Sequence, residues 1–280
     1  MRAPRRNGLL FACIAVALVM VCVPARLRAE PKRPRPTAQS AEGIPDKTEG
    51  AEILRQMRRT FLAEDAYLEF ELKVMPRRGD ETRSEGRLWS SRNGEGPMMR
   101  LHLDDATFLV QSGPRPMAWR WSDRERSGAT TLDISRWFAP LAESDLSVFD
   151  VQMPFLFWDD CVYEGPSRVS GRMVETFLAK PPPEFAAQHP ELTAIRFRID
   201  RTYHALLLAE HLGKDSVVTK TFRLIGLKRA GDRYTMKAVE IRDEATRRKT
   251  RLTVGEARIG VPWPAIMFSP DHLATEPAKP

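Results

Sequence analysis

Five histidines, His102, His189, His204, His211 and His272, are the first candidates for metal or acid–base chemistry. No His-x-x-x-His or Cys-x-x-Cys spacing occurs; His204 and His211 are seven apart across a predicted strand pair, and His189 sits in a Pro-rich stretch. Neither a metal nor a cofactor is expected. Asp104-Asp105 and Asp159-Asp160 are adjacent acids. Neighbours on an extended chain point to opposite faces and Asp favours turns, so both pairs read as turns rather than catalytic dyads. Gly-x-Ser-x-Gly, Gly-x-x-x-x-Gly-Lys and Gly-x-Gly-x-x-Gly are absent, which removes the usual support for hydrolase, phosphate-cradling and dinucleotide chemistry. No convergent nucleophile, base and oxyanion donor can be named, so a non-enzymatic protein is expected.

What stands out is apolar bulk: six tryptophans, thirteen phenylalanines and eleven methionines, with five large apolar side chains in Met153-Pro154-Phe155-Leu156-Phe157-Trp158. Most of these must be core. A sheet that encloses more apolar lining than it fills would instead leave room for acyl chains, and flexible methionines suit a variable guest. Burial is worth about 0.8 kcal/mol per methylene, so a sixteen-carbon chain gains on the order of 10 kcal/mol without any specific polar contact.

The first 29 residues carry a different message. Arg2, Arg5 and Arg6 precede an apolar run from Gly8 to Val23, and Pro24 to Ala29 ends on a small residue. This is the pattern of a secretory signal peptide cleaved near Ala29, and the run is short for a permanent span. Retention as an anchor stays open. Removing Arg2, Arg5, Arg6, Arg26 and Arg28, with no acid lost, takes the formal charge from +7 to +2, which is no footprint for nucleic acid. Cys13 and Cys22 leave with the signal, so Cys161 remains alone and reads as a small buried side chain. Residues 30–50, rich in Pro and charge, are expected to be a disordered tether, and residues 51–280 one domain.

The elements follow from periodicity. Asp46 and Glu49 have capping-pair spacing, and Ile53, Leu54, Met57, Phe61 and Leu62 recur at helical intervals. The period then becomes two: Leu68, Phe70, Leu72 and Val74, later Met99, Leu101 and Leu103, then Met117, Trp119 and Trp121. A second helix is expected from Ser144 through Leu146, Phe149 and Met153 to Pro154, and six more strands between Met173 and Val254. Ten or eleven strands with two helices predict a mainly β protein: a strongly curved antiparallel sheet, or half-barrel, with a helical lid.

In order and spacing, Glu52-Ile53-Leu54-Arg55-Gln56-Met57 before the 67–75 strand, Ser144-Asp145-Leu146-Ser147, the 171–181 segment, Ile195 to Asp200, Leu206 to Glu210, Thr250-Arg251-Leu252 and the closing Met267-Phe268-Ser269-Pro270-Asp271-His272-Leu273 resemble the outer-membrane lipoprotein-sorting proteins of the LolA-like superfamily. Val148 and Phe149 depart from that family's usual aromatic-then-acid pair, and residues 181–190 look like an inserted loop. The resemblance implies a periplasmic carrier without a chemical step or a nucleotide site, with no nucleic-acid partner, that takes lipoprotein acyl chains or other lipid from an inner-membrane transporter or export complex towards the outer membrane. A monomer is expected. The alternative is an envelope sensor or adaptor that binds a membrane partner's periplasmic segment. The expected cavity lining is Leu68, Phe70, Leu72, Met99, Leu101, Leu103, Trp119 and Trp121, and the expected lid residues are Met57, Phe61, Leu146 and Phe149.

Overall fold

The computed structural model describes residues 14–16, 20–22, 47–124 and 128–280. Most of the signal, the cleavage point near Ala29 and most of the tether lie outside the described residues. Within the leader, β1 (Ile14–Val16) and β2 (Met20–Cys22) pair antiparallel, and their backbones run beside α1 and β14 of the main body respectively. That body begins with α1 (Lys47–Thr60), inside the stretch predicted as tether. Glu49 in its first turn and Arg58 and Arg59 in its last complement the helix dipole, and Gly50, Leu54 and Met57 form its buried stripe. Gly50 weakens the helix intrinsically, but a Cβ there would lie 2.5 Å from the Tyr163 ring. Close approach to the sheet decides that position.

β3 (Ala66–Met75), β4 (Thr82–Asn93), β5 (Gly96–Leu103), β6 (Ala106–Gln111), β7 (Met117–Ser122) and β8 (Thr130–Thr131) form one meander. β9 (Cys161–Val169), β10 (Arg172–Ala179), β11 (Ala194–Asp200), β12 (Leu206–Leu212), β13 (Val218–Ala230), β14 (Arg233–Asp243) and β15 (Lys249–Ile259) form a second. They join through the β3–β15 ladder into a single open antiparallel sheet of 13 strands, whose edges are β8 and β9. Periodicity misses β4, β6, the two-residue β8, and β9. β4 runs through Arg and Ser, β6 is apolar and polar without strict alternation, and β9 carries Gly165 and Pro166.

Chain order forces the connection between those edges, residues 132–160, across the sheet. It holds a 3-10 turn at Ile134–Arg136, the short α2 (Val148–Gln152) and a second 3-10 turn at Pro154–Phe157. α2 also measures the curvature. Gln152 Nε2 donates to the carbonyl oxygens of Gln111 at 2.8 Å and Met117 at 2.9 Å, at the ends of β6 and β7, while Asp150 holds Lys220 of β13 at 2.5 Å. Six strand spacings separate β6 from β13, about 29 Å if the sheet were flat. Residues two apart on one helix reach both, so the sheet curls around the helix.

The outer face of the first meander is covered as well. After β15 the chain turns back through 3-10 turns at Ala265–Phe268 and Pro270–His272, and Phe268 and Leu273 pack with Tyr67, Trp89, Met98 and Leu109. Arg100, expected on a solvated face, is 2% exposed. Its guanidinium donates to the carbonyl oxygens of Met267, His272, Leu273 and Thr275, and burial lowers its pKa to about 10, which leaves it charged at neutral pH. The predicted Pro-rich loop contains α3 (Pro183–Gln188), whose Phe185 is buried in the main core.

Arg100→Ala removes the donor shared by four strap carbonyls. A loss of about 3 kcal/mol is expected, read from the urea midpoint, together with new proteolytic cleavage between residues 260 and 275.

Candidate functional site

Register places the inner wall. Leu68 faces Leu88, Leu88 faces Leu101 and Leu101 faces Phe108; Met99 faces Val110 and Leu103 faces Ala106. Directly opposed residues share a face. Leu72 and Phe70 continue that face to Leu252 and Val254 on β15. Leu68, Phe70, Leu72, Met99, Leu101 and Leu103 are therefore brought together, each buried in one apolar cluster with Met57, Phe61, Leu146 and Phe149.

Trp119 and Trp121 are not part of that wall. Ala118 opposes Val110 on the inner face, whereas Trp119 opposes Leu109 and Trp121 opposes Thr107 on the outer one. Both tryptophans pack against the outer cluster that includes Phe268 and Leu273 of the C-terminal strap. Alternation alone marks two faces without saying which is inner, and here the larger residues point outward. The second helix is also shorter than expected: Ser147, not Ser144, is its N-cap, in a capping box with Asp150. Met153 ends it in the left-handed region at φ 48°, and Pro154 follows.

Ring pairs run through the crossing segment and join it to α3, to β11 and to the end of α1. Phe138 and Phe149 lie 4.6 Å apart between centroids, Phe149 and Phe185 5.5 Å, Phe155 and Phe197 of β11 5.4 Å, and Phe61 and Phe157 6.1 Å. Arg58 of α1 donates to the carbonyls of Leu156 at 2.6 Å and Trp158 at 3.3 Å, joining the helix to the end of the crossing.

Two buried carboxylates clamp the same segment. Asp145 accepts from Arg248 at 2.7 Å and from the Thr250 hydroxyl at 2.8 Å, at the start of β15. Asp150 Oδ2 accepts from Lys220 Nζ at 2.5 Å, the Ser147 hydroxyl at 2.6 Å and the Ser147 N–H at 2.9 Å. His211 Nε2 stands 3.7 Å from Asp150 Oδ1. None of these roles was read from the sequence. The Ser147-x-x-Asp150 spacing was available as a capping signal, but its reach to β12 and β13 depends on the curl of the sheet.

Beside α1, Leu54, Trp158, Cys161, Val162, Tyr163 and Phe177 line a cleft of about 410 Å³ whose rim carries Lys47, Arg55, Arg58 and Asp159. Burial pushes the Cys161 thiol up to about 11, against the pull of Arg58. It is protonated at neutral pH and a poor nucleophile. On the outer face a larger hollow of about 540 Å³ is lined mainly by polar groups, among them Glu69, Glu71, Glu85, Arg87 and His102. Among the described residues no group of three His, Cys, Asp or Glu is placed to hold a metal ion.

Lys220→Met leaves the Asp150 carboxylate buried without its cation. Destabilisation of about 3–5 kcal/mol is expected in denaturant titrations, against about 1 kcal/mol for Ser147→Ala, which removes a cap.

No protein-family model and no curated protein matches the chain. Solved structures do resemble it. A DUF1329 family protein from Desulfovibrio piger superposes with a TM-score of 0.71 at 15% identity, over 82% of this chain and 100% of that one. A domain described as an outer membrane lipoprotein-sorting protein from Vibrio parahaemolyticus gives 0.69 at 14% identity, over 80% and 97%. A LolA superfamily protein from Nitrosomonas europaea gives 0.59 at 11% identity, over 80% and 98%. The resemblance drawn from the order of short motifs holds at the level of architecture: this chain has the LolA-like fold, an open curved sheet with a covering segment across its inner face.

Proposed function

We propose that the protein is a periplasmic carrier that holds acyl chains of lipoproteins or other lipids against the inner face of its sheet and performs no chemical step. One observation carries this reading: the inner wall is an almost unbroken apolar surface, from Phe108 on β6 to Phe197 on β11, covered by elements that chain topology keeps separate from the sheet. An element attached through clamps and rings can move without breaking a strand ladder. The lining on this reading is Leu68, Phe70, Leu72, Met99, Leu101 and Leu103, with Met57, Phe61, Leu146 and Phe149 on the cover. The cleft beside α1 offers an apolar floor, rimmed mostly by cations, at the edge of the same layer. The shared architecture with a lipoprotein-sorting domain supports the reading.

On this proposal a signal cleaved near Ala29 exports the protein, and a tether over residues 30–50, whose last residues enter α1, leads into the single carrier domain of residues 51–280. A carrier without an energy source moves cargo only down a gradient of affinity. An inner-membrane transporter or export complex therefore supplies the loading step.

Organic extracts of the protein purified from the periplasm should contain acylated species by mass spectrometry. In solution, Phe70→Asp and Phe61→Asp should weaken binding of a fluorescent sixteen-carbon fatty acid at least tenfold, while Trp121→Glu, on the other face, should leave it within twofold. Folded inner-face variants that bind as well as the parent would remove the inner wall from the site, and recovery of a stable protein partner without lipid would favour the adaptor alternative.

A further inference from the structure

The inner face carries a buried polar site that lipid binding does not use. Across the β12–β13 ladder His211 opposes Lys220, and Lys220 in turn opposes Asp243 on β14. They share the parity of Phe222 and Ala209, so they point inward, and α2 lays Asp150 on top of them. His211 is 4% exposed, enclosed by the Phe149 ring at 5.2 Å and the Phe138 ring at 5.8 Å from the crossing segment, with Ile195 opposite on β11.

We propose that this cluster is an acid-released latch: protonation of His211 beside the Lys220 ammonium drives the segment from Ser144 to Trp158 off the strands and opens the inner face. The use of such opening for cargo exchange rests on the carrier reading, whereas the movement itself does not.

The charges around His211 explain the direction. Asp150 from α2 is the nearest anion, but its Oδ2 is already filled by Lys220 and by Ser147, while Oδ1 has no hydrogen bond and lies 3.7 Å from the imidazole. A single carboxylate thus faces a lysine and a histidine. The neighbouring hollow of about 250 Å³, which His211 and Lys220 also line, brings Asp145 from the crossing segment, Glu191 from the stretch after α3, Asp243 from β14 and Arg248 from the turn before β15. Asp145 is taken by Arg248 and Thr250, Asp243 by the backbone and hydroxyl of Thr246, and Glu191 by His189, whose ring packs on Phe138 at 4.5 Å. No further anion is left over for a second cation under α2 among these groups.

Burial, opposed by Asp150 and reinforced by Lys220, lowers the His211 pKa to about 3 in the closed form. Once the cover lifts, the imidazole meets water and regains a value near 6.5. The open form therefore binds the extra proton over the interval between those two values. Neutral His211 favours closure fully above about 6.5, and that contribution is lost progressively as pH falls, by about tenfold in the open-to-closed ratio for each unit.

Hydrogen exchange on the cargo-free protein tests this. The amides of Phe149, Val151 and Met153, which bond to Trp137, Ser147 and Phe149 carbonyls, report the cover. After correction for intrinsic exchange, their protection should fall about tenfold between pH 7.5 and 5.5 and stay flat over that range in His211→Gln. Protection that is constant in the parent, that rises in acid because a His211–Asp150 pair forms, or that still falls in the variant overturns the proposal. Should His211→Gln fail to fold, the imidazole resonance of His211 in the parent decides: titration near 6.5 while the three amides remain protected also overturns it. A protein that opens in acid yet binds no fatty acid at any pH would sink the carrier reading and leave the latch standing.

Discussion

The constraint on which the structure depends is a topological one. β8 and β9 are the two edges of one open sheet, yet they are consecutive strands, so the chain between them must run from edge to edge, and its contacts place it on the inner face. A flat sheet of this width would hold its edges too far apart for a compact crossing. Curling solves the problem, because it brings β6 and β13 within reach of the same five-residue helix. Curl and cover are therefore one feature: the crossing segment fills the concavity, and the concavity exists because the strands bend around the segment.

The two faces of the sheet are closed by different chemistry. Inside, aromatic rings and aliphatic side chains form most of the contact, pinned at a few polar points that include Asp145, Asp150, Gln152 and Arg58. Outside, the C-terminal strap is tied by Arg100, one guanidinium serving four carbonyls that no strand ladder satisfies. Apolar contact tolerates sliding and separation, whereas a fan of charge-assisted hydrogen bonds is geometrically exacting. The strap is tied by directional bonds, and the inner cover rests largely on apolar contacts.

The helix stripe, the alternating runs of β3 and β5 and the order of short motifs were legible because each depends on neighbours in sequence. Leu68, Phe70, Leu72, Met99, Leu101 and Leu103 fall on one face for that reason. Trp119 and Trp121 were misplaced because alternation is symmetric: it divides a strand into two faces, and the assignment of inside to the larger residues fails where a strap covers the outside. Arg100 escaped notice for the same cause. A charged residue between leucines reads as solvated until a distant segment lies over it.

By itself, the sequence determined a mainly β chain with one leading amphipathic helix, a midpoint interruption and an apolar excess, since local period and composition are properties of consecutive residues. Tertiary structure alone decided which face is concave, and it alone joined Asp150 to Lys220 and His211, seventy and sixty-one positions away along the chain. Those contacts follow from the summed bend of many strands. No window of neighbouring residues contains that sum, which is why the polar centre of the cover had no signature in the sequence.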